Sequence, residues 1–293
     1  MPGSAPTSRR LDYDRIQRFY ERHRDDQQDD PDFLRGTIES SRGIARFRTR
    51  AETRHLSRVL RVEPGQRVLD LGAGTGRWSV FFAERGAHVV SVELAASMVE
   101  AAQRNAARRG CTIDCRVGSI LDPPLAADER FDVVHIGGVL LYIDDHDMDR
   151  VRRCVRAHTR ETGLLVLREP VDPHGPSELH TPEYSAQLRR PERFVELFAP
   201  DFRLLYERAT ISHFVPPGSN THDVVARMRS ANRWKKPLVE HALPLLGYVD
   251  HALLGLEERV RGSALRGLLG DPGVIQHFYV FAASSRSALI ASR

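Results

Sequence analysis

The sequence predicts a doubly wound α/β fold: a seven-stranded, mostly parallel sheet with N-terminal helices and a helical lid insert. Three observations predict it. From Arg67 to Arg168, short β-rich runs alternate with helical patterns, and such alternation builds a parallel sheet covered on both faces. A glycine-rich stretch, Gly72-Ala73-Gly74-Thr75-Gly76, joins the first of those runs to a helix. Helical patterns over 11–60 and 215–270 stand outside the alternation. They are placed over the carboxyl ends of the strands, where open α/β sheets bind ligands.

Residues 1–10 read as a disordered tail and 11–60 as a helical cap. Leu11, Ile16, Phe19 and Tyr20 give a helix over 11–24 its apolar stripe, and an acidic run ending at Pro31 breaks it. A further helix over 32–60 is interrupted near Gly36 and Gly43, with Leu56, Val59 and Leu60 in its last turns. Pro64-Gly65 turns the chain into the core, which takes in residues 61–170. Strands are expected at 67–71, 87–92, 112–117, 131–137 and 163–168, with helices at 76–85, 95–109 and 146–160. Residues 171–293 complete the sheet. They comprise a Pro-, His- and Gly-rich loop over 170–182, a helix over 183–198, a strand at 202–209, a mostly helical stretch at 221–268, and a closing strand at 274–283.

Composition narrows the class. At 41% hydrophobic and 28% charged residues, the chain has the balance of a globular protein, and no apolar run approaches the roughly 18 residues that span a bilayer. The start lacks a charged region followed by an apolar one, so no secretion signal is read. Cys111, Cys115 and Cys154 are odd in number and show no CxxC spacing, which gives neither a disulfide framework nor a zinc site and points to a reducing cytoplasm. The net charge of +4 comes from arginines mixed with acids along the whole chain, not from a basic stripe, so nucleic acid is not an expected partner. Self-association into a homo-oligomer is left open.

Spacing decides what the glycine turn can hold. A dinucleotide fingerprint needs GxGxxG, and the positions that would complete it are Arg77 and Ser79. The segment Asp70-Leu71-Gly72-Ala73-Gly74-Thr75-Gly76 instead resembles the first motif of class I, Rossmann-like methyltransferases dependent on S-adenosylmethionine, small-molecule type. The resemblance covers roughly residues 45–170. It implies that Gly72, Gly74 and Gly76 let the donor approach the backbone. Asp70, a carboxylate, suits the donor's cationic amino-acid tail better than a pyrophosphate. Glu93, ending the second strand, is expected to accept both ribose hydroxyls. Ser119 stands where the family commonly has Asp reading the adenine amino group, with Asp122 as rival. Leu94 and Ile120 join the cofactor-binding set, and Gly137 and Gly138 are expected beside the donor's methionine part.

The acceptor is less constrained. Gly137-Gly138-Val139-Leu140 replaces the Asp/Asn-Pro-Pro-aromatic turn of enzymes that methylate base amines or glutamine. The apolar run from Ile136 to Ile143 suggests a small, partly apolar acceptor under a lid. Glu169, one residue past an apolar strand and before Pro170, is expected to face the donor's methyl as general base, or to stabilise a carbocation if the acceptor is an olefin. His135 is a second catalytic candidate, and His174, His180 and His213 are further bases. Tyr20, Tyr142, Arg46 and His213 form the expected substrate-binding set, with Arg46 belonging to a cluster with Arg48, Arg50 and Arg54 suited to a carboxylate or diphosphate. Tyr13 stands with Tyr20 on the N-terminal helix. No metal site is read, although a divalent ion assisting an anionic substrate is left open. The leading expectation is a methyltransferase of bacterial specialised metabolism acting on carbon or oxygen, a prenyl chain or prenyl diphosphate included. The alternatives are a cyclase- or isomerase-like protein on the same fold and an RNA methyltransferase.

Overall fold

Apolar runs buried on both faces make the central strands of the sheet. The computed structural model describes residues 10–22, 42–214 and 272–284, with the backbone alone at 42–48, 210–214 and 272–275. Five strands follow the expected alternation: β1 (Arg67–Leu71), β2 (His88–Glu93), β3 (Ile113–Val117), β4 (Phe131–Gly137) and β5 (Thr159–Val171). They pair in parallel in the order β3-β2-β1-β4-β5. β9 (Pro272–Ala283) adds to β5 antiparallel, and β8 (Phe202–Phe214) closes the edge against β9, giving seven strands.

Helices cover both faces. Leu56 from α2 (Arg42–Val59) and Trp78, Phe81 and Phe82 from α3 (Arg77–Ala83) pack on Val68, Val133 and Val166. Met148, Val151 and Val155 from α5 (Met148–His158), with Phe194 and Phe198 from α6 (Pro191–Phe198), pack on Leu69, Ile136 and Leu165 of the opposite face. Each such side chain contributes roughly 1.5–3 kcal/mol by leaving water. α4 (Ala96–Arg108) lies along β2 and β3. α1 (Tyr13–Arg22) buries Ile16 and Phe19 against Leu141, Tyr184 and Leu188, above the loop that leaves β4.

Two expectations are corrected. The helix expected over 183–198 begins only at Pro191; before it stands a hairpin of β6 (Ser177–His180) and β7 (Ser185–Leu188). Proline in a helix interior loses an N–H bond and clashes with the preceding turn, so Pro191 belongs in the first turn, where the structure has it. The alternating burial of Ser185–Leu188 is the period of a strand. The second correction is β5, which continues through Pro170 to Val171 instead of ending at Arg168. The 1–10 tail up to residue 9, the interruption near Gly36, and the insert at 215–270 lie outside the described residues; α2 runs without a break across Gly43.

Candidate functional site at the carboxyl edge of the sheet

The turn between β1 and α3 has its sharp shape because Gly72, Gly74 and Gly76 adopt φ of +72°, +56° and +85°, a region open to glycine at little cost. Packing demands two of them independently of any ligand. A Cβ on Gly72 would sit 2.2 Å from Val139 Cγ2, and one on Gly76 would sit 2.9 Å from the Ala102 methyl. Glu93 then ties the turn to the next helix: Oε2 accepts the Gly74 N–H at 2.9 Å and Oε1 the Ala95 N–H at 3.1 Å. Burial pushes this carboxyl's pKa up, against the pull of those N–H groups. Glu93 is half-buried, and an ionised carboxylate has about four lone-pair sites, so acceptor capacity remains after two bonds. That is the chemistry a vicinal diol needs. Nearby, Ser119 Oγ accepts the Leu121 N–H in a tight turn that pairs Ser119 with Asp122, and Ile120 is buried beside it.

Asp70 and His135 are placed differently from expectation. Asp70 is 1% exposed, with Oδ2 accepting the Ser79 hydroxyl at 2.5 Å and Oδ1 lying 2.8 Å from His135 Nδ1. It braces β1 against β4 and α3. A carboxylate only accepts, so Nδ1 is the donor of this pair. Nε2 is buried without a hydrogen bond, with Trp78 and Phe82 packed at 5.2 and 5.6 Å. A fully buried imidazole held this way is no accessible base, because the β4 alternation points it into the α3 face. A Cβ on Gly137 would fall 2.8 Å from this ring.

Glu169 stands elsewhere than at the end of its strand. Because β5 runs on in register with β9, pairing Glu169 with His277 and Pro170 with Gln276, Glu169 lies inside the sheet and not at its edge. It is fully buried. Its Oε1 accepts three successive backbone N–H groups, from Gly138, Val139 and Leu140, at 3.1, 3.1 and 3.2 Å. Oε2 is buried without a partner, and burial pushes the carboxyl up to about 7. Its neighbour Arg168 turns to the other face, where Nε and Nη2 bind Glu52 Oε1 at 2.9 and 2.5 Å and Arg77 approaches Glu52 Oε2 at 3.0 Å. Arg189 holds the same loop by its carbonyls: Nη1 donates to Leu140 O at 2.6 Å and Nη2 to Ile143 O at 2.5 Å.

Two of the residues expected to bind the acceptor come together. Tyr20 and Tyr142 meet hydroxyl to hydroxyl at 2.9 Å, and Tyr184 packs on Tyr142 with ring centroids 5.6 Å apart. Burial drives the Tyr20 and Tyr142 phenols upward, so both are neutral. α1 is fastened in place: Asp144 accepts the Leu11 N–H, Asp147 accepts the Tyr13 hydroxyl at 2.7 Å, and Gln17 donates to Leu94 O. Glu21 accepts the Ala96 and Ser97 N–H groups and so caps α4, whose own N-cap residue, Ala95, cannot. Asp144, His146 and Asp147 bring ligand atoms within 4.8 Å of one another, but the two carboxylates are engaged in this fastening. Arg50, Arg54, His174 and His180 are exposed. Arg46 lies in α2 and His213 in β8, but their side chains, like that of Arg48, are outside the described residues. Sequence reasoning missed Glu52, Arg189, Tyr184 and Glu21. Only Tyr184 carried a signal, as an aromatic at the head of an alternating stretch.

This sheet order, with a glycine turn after β1 and a carboxylate ending β2, is a Rossmann-like α/β fold and resembles that of class I methyltransferases dependent on S-adenosylmethionine. Residues 68–163 match the family model of a methyltransferase domain. The chain is 38% identical over 116 residues to demethylmenaquinone methyltransferase of Thermobifida fusca, covering 37% of this chain and 47% of that one. It is 37% identical over 82 residues to ubiquinone biosynthesis O-methyltransferase of Hahella chejuensis, covering 28% and 34%. It is 33% identical over 94 residues to phosphoethanolamine N-methyltransferase of Triticum aestivum, covering 32% and 18%. The matches thus span less than half the length of these curated relatives. Among solved structures, coclaurine N-methyltransferase bound to N-methylheliamine and SAH shares the fold with a TM-score of 0.56 at 16% identity, over 92% of this chain and 86% of that one. The [4+2]-cyclase SpnF does so with a TM-score of 0.53 at 18% identity, over 86% of each.

Proposed function

We propose that the chain transfers a methyl group from S-adenosylmethionine to a small, partly apolar acceptor. The observation that carries this reading is Glu93, which spans the glycine turn and the start of α4 and retains acceptor capacity for ribose hydroxyls. Leu94, Ser119 and Ile120 would flank the adenine, while the backbone of Gly72, Gly74, Gly76 and Gly137 would approach the rest of the donor. Bound there, the donor supplies an electrophilic methyl on a sulfonium. The chain's own task is to align an acceptor with it, and alignment is the larger part of such a displacement.

Tyr20, Tyr142 and Tyr184 place hydroxyls within an apolar cover formed by Leu11, Ile16, Phe19, Leu141 and Leu188. A partly apolar acceptor suits that mixture. The named relatives act on different acceptors, and from the apolar run at 136–143 we retain carbon or oxygen methylation in specialised metabolism as the finer reading. A second reading, a cyclisation without methyl transfer, is favoured by one observation, the fold shared with a [4+2]-cyclase. Incubating the protein with S-adenosylmethionine and a panel of catechols, quinols and prenyl diphosphates, with detection of S-adenosylhomocysteine, separates them. Acceptor-dependent S-adenosylhomocysteine supports methyl transfer; product formed without it supports cyclisation.

A further inference from the structure

The loop leaving β4 is held from two sides by the buried side chains of Glu169 and Arg189. Gly138 has φ of +73° and Val139 is right-handed, a pair of conformations that turns successive N–H groups into one concavity suited to an anion. Glu169 Oε1 fills it, accepting from Gly138, Val139 and Leu140. The Gly138 N–H is shared with Arg168 O at 2.8 Å, so Val139 and Leu140 depend on the carboxylate more fully. Arg189 takes the carbonyls of Leu140 and Ile143 and the carboxylate of Asp145. With its N–H groups and its carbonyls both bound, the loop has one position.

That position matters because of Val139. Its Cγ2 stands 2.2 Å from where Gly72 would carry a Cβ, so Val139 supplies the wall that the first glycine of the donor turn lacks. A chain of contacts therefore runs from Glu169 through the Val139 amide and side chain to Gly72. We propose that Glu169 is a positioning residue, whose carboxylate fixes the loop after β4 against the glycine turn and so sets donor affinity instead of transferring a proton. This rests on the reading of the glycine turn as the donor site.

The test is calorimetric titration with S-adenosylhomocysteine, together with amide hydrogen exchange at residues 138–140, for wild type, Glu169→Ala, Glu169→Gln and Val139→Ala. Glu169→Ala should weaken binding about tenfold or more, as expected for losing charge-assisted bonds, and should speed exchange at those amides. Glu169→Gln should stay within about threefold of wild type, because its carbonyl oxygen can accept the same N–H groups. Val139→Ala, which leaves Glu169 in place, should also weaken binding, and it decides the matter if Glu169→Ala does not fold. Unchanged affinity per folded molecule in Glu169→Ala, or in Val139→Ala where the first is unfolded, overturns the proposal. A wild-type protein that does not bind S-adenosylhomocysteine overturns the donor-site reading, and this inference with it.

Discussion

The edge proposed to hold the donor and the cover proposed for the acceptor are assembled at different distances along the chain. At the donor edge the decisive bond, Gly74 N–H to Glu93, joins residues 19 apart, inside one strand-turn-helix-strand unit. In the cover, Leu11 reaches Asp144 and Tyr20 reaches Tyr142 across 133 and 122 residues. The first kind of site is made by backbone conformation and local spacing. The second depends on where α1, the β6–β7 hairpin and the loop after β4 meet in the folded protein. A donor site built locally can be common to many proteins, while a cover built from distant pieces can change without disturbing it.

The largest effect that would sharpen this contrast is at the turn. Gly72→Val adds a branched side chain at φ of +72° and into Val139, and it should destabilise the protein by several kcal/mol, seen as loss of cooperative folding in denaturant. A stable, donor-binding variant would break the argument that packing fixes this glycine.

Removing Arg189 tests the cover. Arg189→Met keeps much of the apolar volume but leaves the Leu140 and Ile143 carbonyls without their donor, so unfolding free energy should fall by roughly 2–4 kcal/mol. An unchanged value would mean that the loop is held by packing alone.

Glu169 gives a pH signature. Its folded-state carboxyl, at about 7, lies above the ordinary 4.5, so the protonated acid is favoured by folding. The associated stability is complete below about 4.5 and is lost as pH rises through about 7. Glu169→Gln does not titrate. Relative to wild type it should therefore gain on the order of 1–3 kcal/mol between pH 5 and pH 8 in paired denaturant titrations. An equal difference at both pH values contradicts this. The acid that holds the loop is thus a cost to stability at neutral pH.

The smallest effect concerns the tyrosines. Tyr20→Phe removes one hydroxyl of a neutral pair and should cost about 0.5–1.5 kcal/mol in stability while leaving S-adenosylhomocysteine affinity unchanged. A drop in donor affinity would place Tyr20 with the donor edge and not with the cover.

The same contrast explains what was legible in the sequence. β1 through β4 and the helices between them were readable because periodicity and glycine placement are local signals. Glu93 was readable because it ends a strand. Asp70, His135 and Glu169 stand out as residues, but their partners inside the protein do not. Whether a carboxylate faces a ligand or the protein depends on neighbours such as Ser79 and on strand pairing, here of β5 with β9, and neither is written nearby. Glu52 and Arg189 were invisible, since in sequence they are two charges among many. The hairpin is hard to see in the sequence because its strands are four residues each, and only Pro191 marks where α6 begins.

We propose that the edge formed by the glycine turn and Glu93 binds S-adenosylmethionine through its ribose. The most direct measurement is calorimetric titration of wild type and Glu93→Ala with S-adenosylhomocysteine, with folding of both verified. The account predicts saturable one-to-one binding by wild type and a loss of about 1–3 kcal/mol in the variant, the scale of hydrogen bonds to a charged acceptor. No binding by wild type, or equal affinity in the two proteins, would contradict it.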